Sequence, residues 1–248
     1  MGRRPTVRLS GALVVVGTGI GAARLTSEAR AAIEAADEVV YLVPDPIAAA
    51  DITRLNRRAR SLASCYAEGG HRREAYARMV EEMLTPVRAG KRVCAAFYGH
   101  PGVFVWPSHE AIEQARGEGF EARMLPGVSA EDCLFADLGV DPATAGCQSY
   151  EATRFLEGRP AVERRAALVL WQIGVVGSAE HTAEPRAPLL GALVDALREI
   201  YPDDHEVVVY EASPFAGVAP LVRPVPLAAL GAAVTPASTL YVPPLESF

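Results

Sequence analysis

Val93-Cys94-Ala95-Ala96-Phe97-Tyr98-Gly99-His100-Pro101-Gly102-Val103-Phe104-Val105 is the stretch on which the fold turns. Its apolar first half reads as a strand buried on both faces, as in a parallel sheet. Two glycines and a proline then break the strand, and Tyr98 and His100 put polar atoms at its carboxyl end. Open parallel sheets bind ligands at that end. Gly99 and Gly102 remove side chains, so a ligand could lie on the backbone there. The plainer reading is a strand-to-helix turn with an incidental tyrosine and histidine.

Working outward, the same strand–helix alternation recurs. Ala12–Val16 is a continuous apolar run followed by the glycine turn Gly17-Thr18-Gly19-Ile20-Gly21. Thr26 or Ser27 can cap a helix running through Ala36, with Glu28 near its positive end. Val39–Val43 is the next strand, ended by Pro44 and Pro46. The spacing of Tyr76, Met79, Val80, Met83 and Leu84 predicts a helix from about His71 to Arg88. A helix near Ser108–Glu118 and a strand near Ala122–Leu125 follow the quoted stretch. This alternation predicts an α/β fold with a doubly wound parallel sheet.

Pro126-Gly127-Val128-Ser129-Ala130 changes the rhythm. Beyond it Ala166–Ile173, Glu206–Glu211 and Ser238–Val242 read as strands, with a helix near Pro188–Tyr201 and an exposed loop over Gly174–Pro185. The proline-rich Pro214–Pro226 stretch predicts a hairpin or edge strand. The expected organisation is an N-terminal parallel-sheet domain, 1–126, and a mixed-sheet α/β domain, 127–248.

Bulk properties exclude several classes. The 248 residues are 50% hydrophobic and 22% charged, which describes a globular chain rather than a disordered one. A balance of 24 basic against 30 acidic residues, with no long Lys/Arg block, argues against nucleic acid as a partner. The glycine-interrupted run Gly11–Ala23 is too short to span a membrane and lacks a signal-peptide pattern. Met1-Gly2-Arg3-Arg4-Pro5-Thr6 fits a myristoylation pattern only formally. Cys65, Cys94, Cys133 and Cys147 form no metal-ligand spacing, so no metal is expected; they read as reduced thiols in a cytoplasmic protein.

Two constellations carry chemistry. The first glycine turn is G-x-G-x-G rather than the dinucleotide G-x-G-x-x-G. Asp37 and Glu38, the acids at the right separation for a ribose, precede their strand and so sit at its wrong end. The second is Tyr66, Arg72, Tyr76 and Tyr98. Arg72 and Tyr76 are four apart and share a helix face. Phenols around one guanidinium are expected to have a pKa lowered from the usual ~10, creating a base. The plainer alternative is an arginine stacked on surface tyrosines. Among the histidines there is no triad; His100 can simply shape its turn, and Ser129 can cap a helix. Asp203-Asp204-His205-Glu206 reads as a solvated turn.

In this order, strand-GTGIG, YGHPGVFV and LPGVSA resemble the tetrapyrrole methylase superfamily of S-adenosylmethionine-dependent methyltransferases. The chain is similar in particular to the borosin α-N-methyltransferases, which methylate backbone amides of ribosomally made peptides. The segments carrying that likeness are Tyr66-Ala67-Glu68-Gly69 with Arg72 and Tyr76, Phe97–His109, Leu125–Asp132, QSYEATRFL at Gln148–Leu156 and STLYVPPL at Ser238–Leu245. One departure is Ala63, where some relatives are expected to carry a further tyrosine.

The resemblance implies an S-adenosylmethionine site in a cleft between two α/β domains. Its contacts would fall on Tyr98, His100, Val103, Phe104, Ser129, Ala130, Gln172, Ala212, Ser238 and Thr239, and its product would be S-adenosylhomocysteine. It implies a catalytic group of Tyr66, Arg72, Tyr76 and Tyr98. In this scheme Tyr76, polarised by Arg72, takes the amide proton, and Tyr66 with Arg72 stabilises the amide oxygen; exchanging the two tyrosines fits the sequence equally well. Founding borosins carry the substrate peptide after the enzyme, whereas this sequence stops at Phe248. A separate precursor peptide is therefore the expected partner, and the resemblance implies an enclosing homodimer, into which the peptide would be threaded. The alternatives are a small-molecule, tetrapyrrole-type methyltransferase and a non-catalytic binder of S-adenosylmethionine or peptide.

Overall fold

The structure, a computed structural model, describes residues 10–21, 24–66, 71–178, 187–215 and 217–245. The amino-terminal myristoylation pattern, Ala67–Gly69 and His181 lie outside the described residues. The chain divides into two compact units, Met1–Ala130 with Pro214–Val218, and Glu131–Ser213 with Ala219–Phe248. The return of Pro214–Val218 to the first unit has no signal in the sequence pattern. It rests on Gly21, where the Pro214 carbonyl fills the space of a Cβ.

The first unit runs β1 (Ala12–Gly17), α1 (Ser27–Ala35), β2 (Glu38–Leu42), α2 (Pro46–Leu55), β3 (Ala59–Ser61), α3 (Arg72–Arg88), β4 (Arg92–Phe97), α4 (Trp106–Gly117) and β5 (Glu121–Leu125). Its five strands lie in the order β3-β2-β4-β1-β5, and every pairing is parallel. This is the doubly wound sheet that the alternation predicts. Strand period two splits the core into two layers. Val93, Ala95 and Phe97 of β4 pack with Met79, Met83, Leu84 and Val87 of α3 and Ala111 and Ala115 of α4. Cys94 and Ala96 point the other way, toward Ala29 and Ile33 of α1 and Ile52 of α2.

The helix ends follow local chemistry. Thr26 Oγ1 accepts the Ala29 amide at 3.1 Å and starts α1. The Asn56 side-chain amide donates to the Ile33 and Ala36 carbonyls, both at 2.9 Å, and satisfies its end. Asp45 accepts the Ile47 and Ala48 amides and starts α2, with Pro46 in the first turn. In α3, Pro86 removes one backbone donor. The Glu82 carbonyl that loses that donor receives Arg60 Nη2 at 3.0 Å instead.

The second unit holds most of α5 (Ala130–Leu138), then β6 (Cys147–Glu151), α6 (Ala152–Gly158), β7 (Ala167–Trp171), α7 (Leu190–Arg198), β8 (Glu206–Glu211), β9 (Leu221–Pro226) and β10 (Thr239–Val242). Its order is β6-β7-β10-β8-β9; only β6 and β7 are parallel. β9, with Pro224 and Pro226, is the edge strand expected from the proline-rich stretch. Leu168, Leu170, Val207, Val209, Leu240 and Val242 face Phe155, Leu193 and Leu197 in one core.

Three glycines bring the carboxyl ends of β1, β4 and β5 together. A Cβ on Gly127 would stand 2.5 Å from the Gly99 carbonyl oxygen and 2.8 Å from Gly17 Cα. A Cβ on Gly17 would meet the same carbonyl, with Gly127 Cα and Pro101 Cδ at 2.8 Å. The neighbours are mostly backbone and cannot rotate away. Replacing Gly17 by Ala is therefore expected to destabilise the first unit by about 1–3 kcal/mol. Urea unfolding followed by circular dichroism reads this as a lower midpoint; an unchanged midpoint would show that these loops do not meet.

Candidate functional site

The loop after β4 is held from several directions. The Gly19 and Gly99 amides each donate to the other's carbonyl, at 3.1 and 3.0 Å. The Thr18 amide donates to the Phe97 carbonyl at 2.8 Å. The first glycine turn is thus consumed in packing another loop. A dinucleotide pyrophosphate would have to lie where Gly99 sits. Asp37 stands before β2 and pairs with Arg92 at 3.1 Å, which holds its carboxyl down at about 2. It is occupied at the amino end of the sheet, far in topology from any ribose position.

Within the loop, His100 Nδ1 accepts the Gly102 amide at 2.9 Å, and His109 Nε2 lies 2.9 Å from the Gly102 carbonyl. His100 therefore shapes its turn, the plainer of its two readings. Gly102 is small because Met124 Sδ and the His100 ring occupy the space beside it. The loop then leaves Val103 39% and Phe104 49% exposed. Phe104 has φ of +56°, a left-handed conformation unusual for a residue with a Cβ. Such residues gather at functional sites because the surroundings must hold them there.

Tyr66 follows a short 3₁₀ turn, Ala63–Cys65, and its amide donates to the Ala63 carbonyl at 3.1 Å. Arg78 Nε, 3.0 Å from the Cys65 carbonyl, fixes the chain just before it. Arg72 is the first residue of α3 and Tyr76 lies one turn on, so the two share a face. The Tyr66 and Tyr76 rings meet edge to face, with centroids 6.5 Å apart at 73°. Arg72 acts on Tyr66 through its charge. Tyr98, directly after β4 and half-buried, donates its amide to the Leu42 carbonyl at 3.1 Å.

The electrostatics correct one expectation. Burial, the neighbouring Tyr76 phenol and a hydrogen bond with it push Tyr66 up to about 12. Arg72 pulls the other way and does not win, because Tyr66 is removed from water while the guanidinium is only one of several groups acting on it. Tyr66 therefore keeps its proton at neutral pH.

Ser129 and Ala130 stand where α5 begins, with Ser129 buried. In the second unit the candidates share one end of the sheet. Gln172 directly follows β7, Ala212 follows β8, and Ser238 and Thr239 open the antiparallel β10 between them. Gln172 is exposed with φ of +61°. Only Phe104, Arg159 and Gln172 are non-glycine residues at positive φ among the described residues, and two of these are candidate cofactor contacts. Ser238 is fully buried; its hydroxyl donates to Glu211 at 2.8 Å and accepts the Thr235 amide at 2.8 Å. Its side chain is spent on the sheet end, which leaves only its backbone for the contact that the resemblance implies.

One residue of the first unit's site was not singled out from the sequence. Trp106 stacks on Tyr76, with ring centroids 6.4 Å apart at 24°. The available signal was a tryptophan before a helix-starting proline, directly after the glycine loop.

The raised Tyr66 pKa sets a pH dependence. The protonated phenol is favoured in the folded state, so its contribution is complete below the unfolded value of ~10 and is lost as pH rises toward about 12. Stability of the wild type should fall more steeply over that window than stability of Tyr66→Phe. Urea midpoints between pH 9 and 12 check this; parallel curves would contradict the assignment.

Residues 12–216 match the family described as Tetrapyrrole (Corrin/Porphyrin) Methylases. The chain is 41% identical to a methyltransferase/ribosomally synthesized cyclic peptide gymnopeptides precursor of Gymnopus fusipes, over 97% of this chain and 59% of that protein. It is 43% identical to a type I borosin cyclic peptide precursor methyltransferase of Coprinopsis marcescibilis, over 95% and 62%. With the omphalotin A precursor methyltransferase of Omphalotus olearius it shares 43% identity over 95% and 58%. The chain therefore spans about 60% of the length of these relatives, whose names describe enzyme and peptide precursor as one polypeptide. Among solved structures, uroporphyrin-III-C-methyltransferase from Thermus thermophilus superposes with a TM-score of 0.66 at 19% identity, covering 95% of this chain and 93% of that one. Cobalt precorrin-4 methyltransferase gives 0.66 at 18%, covering 94% of each. These last two speak to the fold. By the family match over most of its length, and by a fold in keeping with it, the chain belongs to the tetrapyrrole (corrin/porphyrin) methylases.

Proposed function

We propose that this chain is an S-adenosylmethionine-dependent methyltransferase that N-methylates backbone amides of a ribosomally made peptide. The observation that carries the reading is the Tyr66–Tyr76 pair beside Arg72, with Tyr66 holding its proton up to about 12. The names of the relatives, methyltransferases joined to cyclic peptide precursors, support the same substrate class. In this proposal the peptide is a separate precursor, the enzyme a cytoplasmic homodimer, and the reaction needs no metal.

S-adenosylmethionine, when bound, supplies a methyl group on a positively charged sulfur and leaves as S-adenosylhomocysteine. The exposed apolar surfaces of Val103 and Phe104 suit a purine or a thioether chain, and the Gln172 amide and Tyr98 phenol suit its polar groups. Ser129, Ala130, Ala212 and Thr239, with the His100 and Ser238 backbone, complete the proposed contacts.

A peptide nitrogen is a poor nucleophile because its lone pair is delocalised into the carbonyl. The chain's residues must draw charge onto the oxygen and remove the proton. The Tyr66 hydroxyl donates to the peptide oxygen, where negative charge accumulates, and Arg72 adds a fixed positive charge. Tyr76, to which Tyr66 is hydrogen-bonded, reacts in this scheme as its phenolate and takes the amide proton to become the neutral phenol. The nitrogen then commits its electron pair to the new N–C bond, while the C–S pair stays on sulfur.

Incubating the chain with S-adenosylmethionine and the peptide encoded beside its gene should add one-methyl mass increments to that peptide. Tyr76→Phe should slow transfer by about 10²–10⁴-fold. Arg72→Ala with unchanged kinetics would overturn the scheme. Increments on the enzyme's own mass instead would replace the separate precursor with a fused one.

A further inference from the structure

We propose that Trp106 is a positioning residue for the reaction: its indole sets the plane of the Tyr76 ring and so the direction of the Tyr76 hydroxyl. This inference rests on the backbone N-methylation proposed above.

Tyr76 is half-buried and carried on a helix, where a tyrosine keeps two side-chain torsions. Two aromatic neighbours limit those torsions. Tyr66 meets it edge to face at 73°, and Trp106 lies 24° from parallel. Offset-stacked and edge-to-face pairs are each worth ≈0.5–1.5 kcal/mol beyond simple burial. Together they fix one orientation of the ring. Tyr66 alone would leave Tyr76 free to tilt about the edge contact.

Trp106 is itself held on a rigid base. It is the first residue of α4, followed by the buried Pro107 and Ser108. The Ser108 amide donates to the Val105 carbonyl at 3.1 Å. His109 ties the same turn to the Gly102 carbonyl at 2.9 Å, and Gly102 is tied to His100. The indole is nonetheless 47% exposed. A tryptophan kept for core packing would be buried, since leaving half its surface in water forgoes ~25 cal/mol for every Å². Its inner face meets Tyr76, and that contact is what its placement secures. Trp106 acts through Tyr76, and nothing in its chemistry takes or gives a proton.

The test uses Trp106→Ala, Trp106→Phe and Tyr76→Phe in the full chain, with S-adenosylmethionine and the peptide encoded beside the gene. A small misplacement of a reacting group can cost as much as 10²-fold in rate. Trp106→Ala should lower kcat by tenfold or more with KM within about twofold, and Trp106→Phe should restore most of it. A second reading needs no turnover. In chain labelled with 3-fluorotyrosine, the Tyr76 ¹⁹F resonance, assigned by its loss in Tyr76→Phe, should shift in Trp106→Ala and return partway in Trp106→Phe. An unchanged kcat, a change confined to KM, no rescue by Phe, or an unmoved resonance would each overturn the positioning role. Absence of methyl transfer by the wild type would instead defeat the proposed function, and the positioning role with it.

Discussion

The Gly99 carbonyl oxygen occupies space that a side chain on Gly17 or Gly127 would need. Three strand ends, those of β1, β4 and β5, therefore meet almost wholly through backbone, with the Pro101 ring beside them. Because the contact is backbone on backbone, it has no rotamers to exchange and little room to relax. The loop from Tyr98 to Val105 leaves this junction in one direction. That direction sets where α4 starts, where Trp106 stands and how Phe104 is held at its positive φ. The site is built outward from a place where no side chain fits.

Two phenols lie against each other with one guanidinium nearby, and burial pushes Tyr66 up to about 12 despite that charge. A protonated buried phenol is a donor aimed by its surroundings, and it costs no desolvated charge in the resting protein. Arg72 supplies the charge at the half-buried start of α3. In the proposed function, hydrogen-bond donation falls to Tyr66 and proton removal to Tyr76.

Much of the first unit was legible in the sequence because its strands are continuous apolar runs and its helices carry clear stripes. Glu206–Glu211 and the proline-marked edge strand were equally plain. α2 was not foreseen. Pro44 and Pro46 read as the end of a strand, while Asp45-Pro46 was in fact a cap followed by a first-turn proline. β6 and α6 were missed because Gln148–Leu156 alternates neither as strand nor as helix; Glu151 makes the change by accepting the Thr153 and Arg154 amides. Arg72 and Tyr76 could be placed together from their spacing. The raised pKa of Tyr66 could not, since it depends on burial by residues distant in sequence. Trp106 escaped notice because an exposed tryptophan looks incidental until the ring beneath it is seen.

The most direct measurement is tandem mass spectrometry of the peptide encoded beside the gene after incubation with the wild-type chain and isotopically labelled S-adenosylmethionine. The account predicts labelled methyl groups on backbone nitrogens. Labelled methyls on side chains, or an unmodified peptide with S-adenosylhomocysteine shown to bind, would contradict it.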